Sequence, residues 1–180
     1  MRLATLGLLA LSLAACAGAP VEPEASPVAG TPCGDPAAAV ETYRLAILAR
    51  DPARLEPMIA ERALQCAPRV YLPRAEVLRY LHDPASQLTA ILFHDDLRRS
   101  GWLGAPDGWG GLRSDRQILQ SPGLVIRLRG WKLGGTLLVD VDLSAPGGAS
   151  RSMTLECRDE RWIIRDWEFT CFMGGARPAP

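Results

Sequence analysis

The sequence predicts an α+β domain in which N-terminal helices pack on a C-terminal antiparallel sheet, and three observations carry the prediction. Apolar residues recur at helical spacing from Val40 to about Leu92 and switch to strict alternation after Leu124. Three Asp-Pro pairs, at Asp35, Asp51 and Asp83, each place a capping carboxylate before a proline suited to the first helical position. The alternating segments are separated by short turns rich in glycine or charge, so they fold back on one another as a meander. Helices first and an antiparallel meander last is the order of an α+β fold.

The elements follow in sequence. Val40, Tyr43, Ile47 and Leu48 share a face of a first helix that runs to about Arg50. Leu55, Met58, Ile59 and Arg62 suggest a second, which Pro57 keeps short or broken. Leu72-Pro73 begins a third, with Val77, Leu78 and Leu81 on one side, and Asp83 starts a fourth through Leu88, Ile91 and Leu92, although the run ILFHD also reads as a strand. From Ser100 to Gln117, glycines and a proline predict a loop that contains Trp102 and Trp109.

Leu124, Ile126 and Leu128 then form one face of a strand opposite Arg127 and Arg129, and Gly130 to Gly135 turns the chain. Leu137, Val139, Val141 and Leu143 alternate with Leu138, Asp140 and Asp142, which is the clearest half-buried strand. Pro146-Gly147-Gly148 is the next turn. Met153, Leu155 and Cys157 face in from a third strand while Ser152, Thr154 and Glu156 face out, and Asp159-Glu160 leads to a fourth, Trp162 to Phe169. Trp162, Trp167 and Phe169 are expected in the core.

The ends of the chain carry a different signal. Residues 1–15 hold one charge, Arg2, and an apolar run from Leu6 to Leu13 that is too short to span a bilayer, as in a cleavable signal peptide. Leu13-Ala14-Ala15-Cys16 resembles the lipobox of bacterial lipoproteins. That resemblance implies lipidation of Cys16, a membrane as partner, and a place in the bacterial envelope. Ala17 stands where inner-membrane retention usually shows Asp, which implies the outer membrane facing the periplasm. Several acyl chains meet the two-signal requirement for stable anchoring. Residues 16–32 form a Pro- and Ala-rich tether that, extended at 3.1 Å per residue, reaches up to ~50 Å. Residues 33–172 form one domain and 173–180 a tail.

Twenty basic residues balance 20 acidic ones, and no basic stripe selects nucleic acid. Four of the five cysteines remain once Cys16 is lipidated, an even number suited to two disulfides in an oxidising compartment. An antiparallel pairing of the first two helices would return Cys33 and Cys66 to the same end, and this pairing is the preferred one. Cys157 and Cys171 would then pair, which requires the chain to bend back after Phe169, because a straight hairpin leaves them well beyond the ~7 Å Cα limit. The alternative is that the helical cysteines bridge to the sheet.

The segment GTLLVDVDLSAPGGASRSMTLECRDERWIIRDWEF resembles the final hairpins of the nuclear transport factor 2-like superfamily, ending in the Trp162-Ile163-Ile164-Arg165-Asp166 strand. Val40 to Arg50, followed by Asp51, Leu55 and Met58, is similar to the family's long first helix and the short one behind it. The resemblance implies a curved antiparallel sheet wrapped by helices into a cone. That fold serves enzymes, ligand binding and association alike, so it leaves function open.

His82 and His94 sit beside carboxylates, yet twelve residues apart on one helix they would differ by roughly 120° and share no face. Asp83 reads as a helix cap and Asp95-Asp96 as a solvated helix end, so no metal site is expected. No nucleophile elbow, phosphate loop or dinucleotide fingerprint is present, and no cofactor is expected. Enzymes of the resembled family use an Asp, Tyr or His inside the cone; Tyr43, Asp140, Asp142 and Asp166 are the available types, of which Asp140 and Asp142 are expected to see solvent. Trp102, Trp109 and Trp131, with Arg127, Arg129 and Lys132, suggest an aromatic and basic binding surface for a glycan, anionic polymer or protein partner. The same rings could instead cover the core of a small sheet. The leading expectation is a non-enzymatic, envelope-facing binding domain; the alternatives are a small-molecule enzyme of the isomerase or hydrolase kind and a structural envelope component.

Overall fold

The computed structural model describes residues 31–66, 70–96 and 113–167. Helix α1, Pro36–Ala49, starts as its sequence predicts: Asp35 accepts from the Ala37 amide at 2.9 Å, and Pro36 opens the helix. It ends at Arg50, whose left-handed φ of 55° lets its amide reach back to the carbonyls of Ala46 and Ile47. Val40, Tyr43, Ala46 and Ile47 bury one face.

The second predicted helix is two 3-10 turns, Pro52–Arg54 and Glu56–Met58, with Asp51 capping the first through the Ala53 amide and Pro57 inside the second. Arg62 is not helical but begins β1, Arg62–Cys66, which pairs antiparallel with β2, Val70–Pro73. Helix α2, Arg74–His82, buries Val77 and Leu81. Helix α3, Gln87–Phe93, is capped by Ser86 and not by Asp83: the Ser86 hydroxyl accepts from the Thr89 amide at 3.0 Å, while the Asp83 carboxylate closes a turn onto Ala85 at 2.8 Å. ILFHD is therefore helical through Phe93. Inside the segment read as loop, Asp115–Leu119 is a short helix, α4, nucleated by a reciprocal capping box between Ser114 and Gln117.

Four strands make the main sheet in sequence order: β3, Val125–Leu133; β4, Thr136–Ser144; β5, Ser150–Arg158; and β6, Arg161–Trp167. The β3–β4 turn is tighter than the predicted Gly130–Gly135. Only Gly134 and Gly135 turn, with φ of 56° and 86°, so Gly130 is a strand residue opposite Val139. In β6 one extra residue, Arg165, shifts the register between Thr154 and Leu155, a bulge of the kind that bends a strand. Beyond β6 the Ala60 amide donates to the Ile164 carbonyl at 3.3 Å, so residues 59–60 extend this edge of the sheet.

Register assigns the faces. Leu137, Val139, Val141 and Leu143 of β4 lie in line with Met153 and Leu155 of β5 and Ile164 and Trp167 of β6, all buried against the helices. The fold is thus α+β, with helices on one face of a curved antiparallel sheet. Among the described residues the helical layer stops short of β3: Ile126, predicted to face the core, is 39% exposed, and Leu124 and Leu128 are only partly buried.

One disulfide is described, and it corrects the preferred pairing: Cys33 bridges Cys157, with Cα atoms 5.7 Å apart. The segment after α1 breaks into 3-10 turns and runs on to β1 beside β6, so no antiparallel helical pair returns Cys66 to Cys33. Instead the start of α1 lies over the end of the sheet, where Trp162, opposite Cys157, donates its indole N–H to the Gly34 carbonyl at 3.1 Å. A cysteine at the helical end bridging to the sheet was the alternative, and it is the one found. The Cys66 side chain and Cys171 lie outside the described residues.

Candidate functional site

Strand alternation brings three of the sequence-predicted residues together. Arg127, Arg129 and Trp131 occupy every second position of β3 on the face turned away from the helices, opposite Asp142, Asp140 and Leu138. Trp131 is 38% exposed and both arginines are exposed, while Leu138, opposite Trp131 and expected to look outward, is fully buried on this same face. Lys132 is exposed on the other side of the strand. Trp102, Trp109 and Cys16 lie outside the described residues.

The carboxylates facing those arginines have other partners. Asp142 accepts from the Ser152 hydroxyl and Asp140 from the Thr154 hydroxyl, each at 2.9 Å. Asp142 is exposed and Asp140 half-buried, both on the outward face. Asp166 continues the same row beyond Thr154. Burial first, then the negative charges of Glu156 and Asp140, raise its carboxyl above the ordinary carboxylate range, against the pull of Arg165.

Tyr43 is the one interior candidate, and it belongs to a buried polar network that the sequence did not disclose. Its hydroxyl donates to Asp115 at the start of α4; Arg151 of β5 donates to the other oxygen of that carboxylate at 2.7 Å and to the Arg113 carbonyl at 2.7 Å. The Trp167 ring packs on Tyr43 with centroids 6.2 Å apart and planes tilted by 54°. Tyr43, Asp115 and Arg151 are 1%, 0% and 5% exposed, so solvent reaches none of them. Burial chiefly, and then the charge and acceptor bond of Asp115, hold the Tyr43 hydroxyl protonated far past its ordinary range. Arg151 occupies the inward position two residues before Met153, so extending the β5 alternation backward places a guanidinium in the core, a signal present in the sequence.

The histidines sit on different elements, His82 at the end of α2 and His94 just after α3. His82 Nε2 lies 2.7 Å from Glu56 Oε1, and His94 Nδ1 accepts from the Asp96 amide at 3.2 Å. Among the described residues no group of three or more His, Cys, Asp or Glu is placed to hold a metal. Asp95 is no bare helix end: hydrogen bonds from Arg50, then Arg116, lower its carboxyl to about 2. Arg116 also donates to the carbonyls of Ile47 and Leu48, tying α4 to the end of α1. A cleft of about 270 Å³, missed by sequence reasoning, is lined by Pro57, Ile59, Arg74, Arg158, Asp159 and Arg161 among others. Its Arg74 donates to the backbone carbonyls of Glu56 and Ile59, and Arg158 pairs with Glu156.

These features define a class: an α+β domain with a sealed polar clamp inside and an exposed Arg- and Trp-bearing strand outside the helical layer. No family model and no curated protein matches the chain. Among solved structures, a designed protein whose name begins Rd1NTF2_05 matches over 73% of this chain and 93% of its own, at 11% identity and a TM-score of 0.36.

Proposed function

We propose that this protein is a lipid-anchored envelope lipoprotein whose domain binds a protein or glycan partner through the outward face of β3. The observation that carries the binding reading is the placement of Arg127, Arg129 and Trp131 at alternate, exposed positions of a strand that the described helices leave uncovered. Aromatic and guanidinium groups are the side chains that most often dominate interface energetics. The anchor is supported by the lipobox-like Leu13-Ala14-Ala15-Cys16 and by the Pro-rich residues that follow it. An enzymatic reading loses its interior candidate, because Tyr43 is sealed against Asp115, and Asp140, Asp142 and Asp166 lie on the outward face.

Two measurements test the reading. Metabolic labelling with palmitate is expected to tag the wild-type chain and not Cys16→Ala, which moves from the membrane to the soluble fraction; an unlabelled wild type rejects the anchor. A photo-crosslinking residue at position 131 is expected to trap a discrete envelope species, lost when Arg127 and Arg129 are both replaced by Gln. Trapping that is unchanged by those replacements, or equally efficient from position 45 on α1, rejects the surface.

A further inference from the structure

We propose that β3 accepts an extended acidic polypeptide segment, which adds to its outer edge as a further strand and pairs two carboxylates, two residues apart, with Arg127 and Arg129. The inference deepens the binding reading above and rests on it.

The first support is the edge itself. Among the described residues β3 pairs with β4 alone, and it is nine residues long. Alternate backbone N–H and C=O groups of such a strand point away from its neighbour and offer a template for another chain. Charged residues often guard an edge, but a guarded edge is short or polar. This one exposes Val125 at 44%, Ile126 at 39%, Trp131 at 38% and Leu133 at 52%.

The second support is electrostatic. In register, Arg127 faces Asp142 and Arg129 faces Asp140, a cross-strand arrangement that ordinarily pairs internally. Here the carboxylates are held by Ser152 and Thr154 on β5, and neither guanidinium has an ion-pair partner among the described residues. The two cations are therefore available beside the edge of β3 that no described strand occupies.

The spacing of the site selects the occupant. Residues two apart on a strand repeat about every 6.6 Å, and the same repeat governs an added strand, so acid-x-acid lies in register with Arg127 and Arg129. Trp131 continues the row and calls for an apolar residue two positions further on. A phosphate or sulfate polymer satisfies the guanidiniums but not the backbone edge or the tryptophan. Main-chain hydrogen bonds supply affinity and alternate side chains specificity, which is the logic of strand addition.

The test uses the full chain in detergent and the capped peptide Thr-Glu-Thr-Glu-Thr-Leu-Thr, with its reversed sequence to cover both strand directions. Calorimetry is expected to detect binding of one of them, and hydrogen exchange to slow at β3. Arg127→Gln with Arg129→Gln is expected to weaken it by about tenfold or more. Lysine for glutamate in the peptide, combined with Arg127→Glu and Arg129→Glu, should restore it. N-methylation of alternate peptide amides should abolish it. The proposal is overturned if neither peptide binds, if the N-methylated peptide binds equally well, or if linear polyphosphate binds as tightly with the same arginine dependence. Peptide failure with an intact crosslink from position 131 overturns strand addition and leaves the binding reading standing; loss of both removes both.

Discussion

Arg151 and Asp115 form a buried ion pair whose members lie 36 residues apart, and Tyr43 closes it from α1. Removing one partner leaves a desolvated charge, so Arg151→Ala is expected to cost about 3–5 kcal/mol in urea unfolding, whereas Tyr43→Phe, which keeps the pair, costs about 1.5–3 kcal/mol. The Tyr43 pKa is raised in the folded state above its ordinary 10.0. Its contribution is therefore full below pH 10.0 and falls as the pH rises beyond it, because the unfolded chain releases the proton first. The wild type should lose stability in that alkaline range with tyrosinate absorbance rising as it unfolds, and Tyr43→Phe should show a flatter pH dependence. Asp166 gives the same sign at the other end of the scale. Its raised carboxyl pKa, and an Oδ1 that no hydrogen bond reaches among the described residues, mean that ionisation at neutral pH opposes folding. Asp166→Asn should raise the melting temperature at pH 7, with the advantage vanishing below 3.8. Of these residues Tyr43 and Asp166 were named from the sequence; Arg151 was not, although a charge at an inward strand position marks it. Asp115 was not, because nothing local distinguishes a buried carboxylate from the acidic first turn of a helix.

Elements were legible where one local signal dominated. Asp35-Pro36 combines a cap with a proline that fixes φ, so α1 starts where expected; the alternation of β4 fixed its faces and those of its neighbours through register. The failures have a common physical form, in which two local signals compete. At Asp83-Pro84-Ala85-Ser86 two residues could cap; the carboxylate closes a turn and the hydroxyl three residues later starts the helix. At α4, glycines suggested a loop while Ser114 and Gln117 already spelled a capping box. Arg127 and Arg129 were legible as one face, but Trp131 was read inside a turn and joins their row only because β3 runs on through Gly130; the exposure of β3 was not legible either, because alternation reports which residues share a side and not whether anything covers it. The β5–β6 turn carries a prediction of its own. Asp159 and Glu160 both adopt positive φ, 50° and 59°, in a two-residue loop where Asn-Gly is preferred. Asp159→Asn with Glu160→Gly is expected to stabilise the domain by about 1 kcal/mol in denaturant unfolding, since glycine removes the Cβ strain of the left-handed region.

On the scale of the whole molecule, the Cys33–Cys157 bridge joins the start of the helical layer to the far end of the sheet across 124 residues of sequence. Loops of that length lose the most entropy in the unfolded chain when closed, and a native bridge of this kind typically stabilises by about 2–5 kcal/mol. Such a bridge also suits an exported chain, since cytosolic thiols are kept reduced. Cys33→Ser and Cys157→Ser should therefore each lower the unfolding free energy by about that amount, and the double variant should be no less stable than either single one, because one bond is lost in all three. The contest between pairings is decided by Cys66. If Cys33 were bonded to it, Cys66→Ser would reproduce the effect of Cys33→Ser and be silent in its background, whereas with Cys33 bonded to Cys157 the two effects are independent. A non-reducing peptide map should join the peptide ending helix α1's cap region, with Cys33, to the β5 peptide with Cys157. The geometry favours this result, because the same end of the sheet already binds the Gly34 carbonyl through Trp162, so the covalent link and the hydrogen bond hold one junction between the two layers.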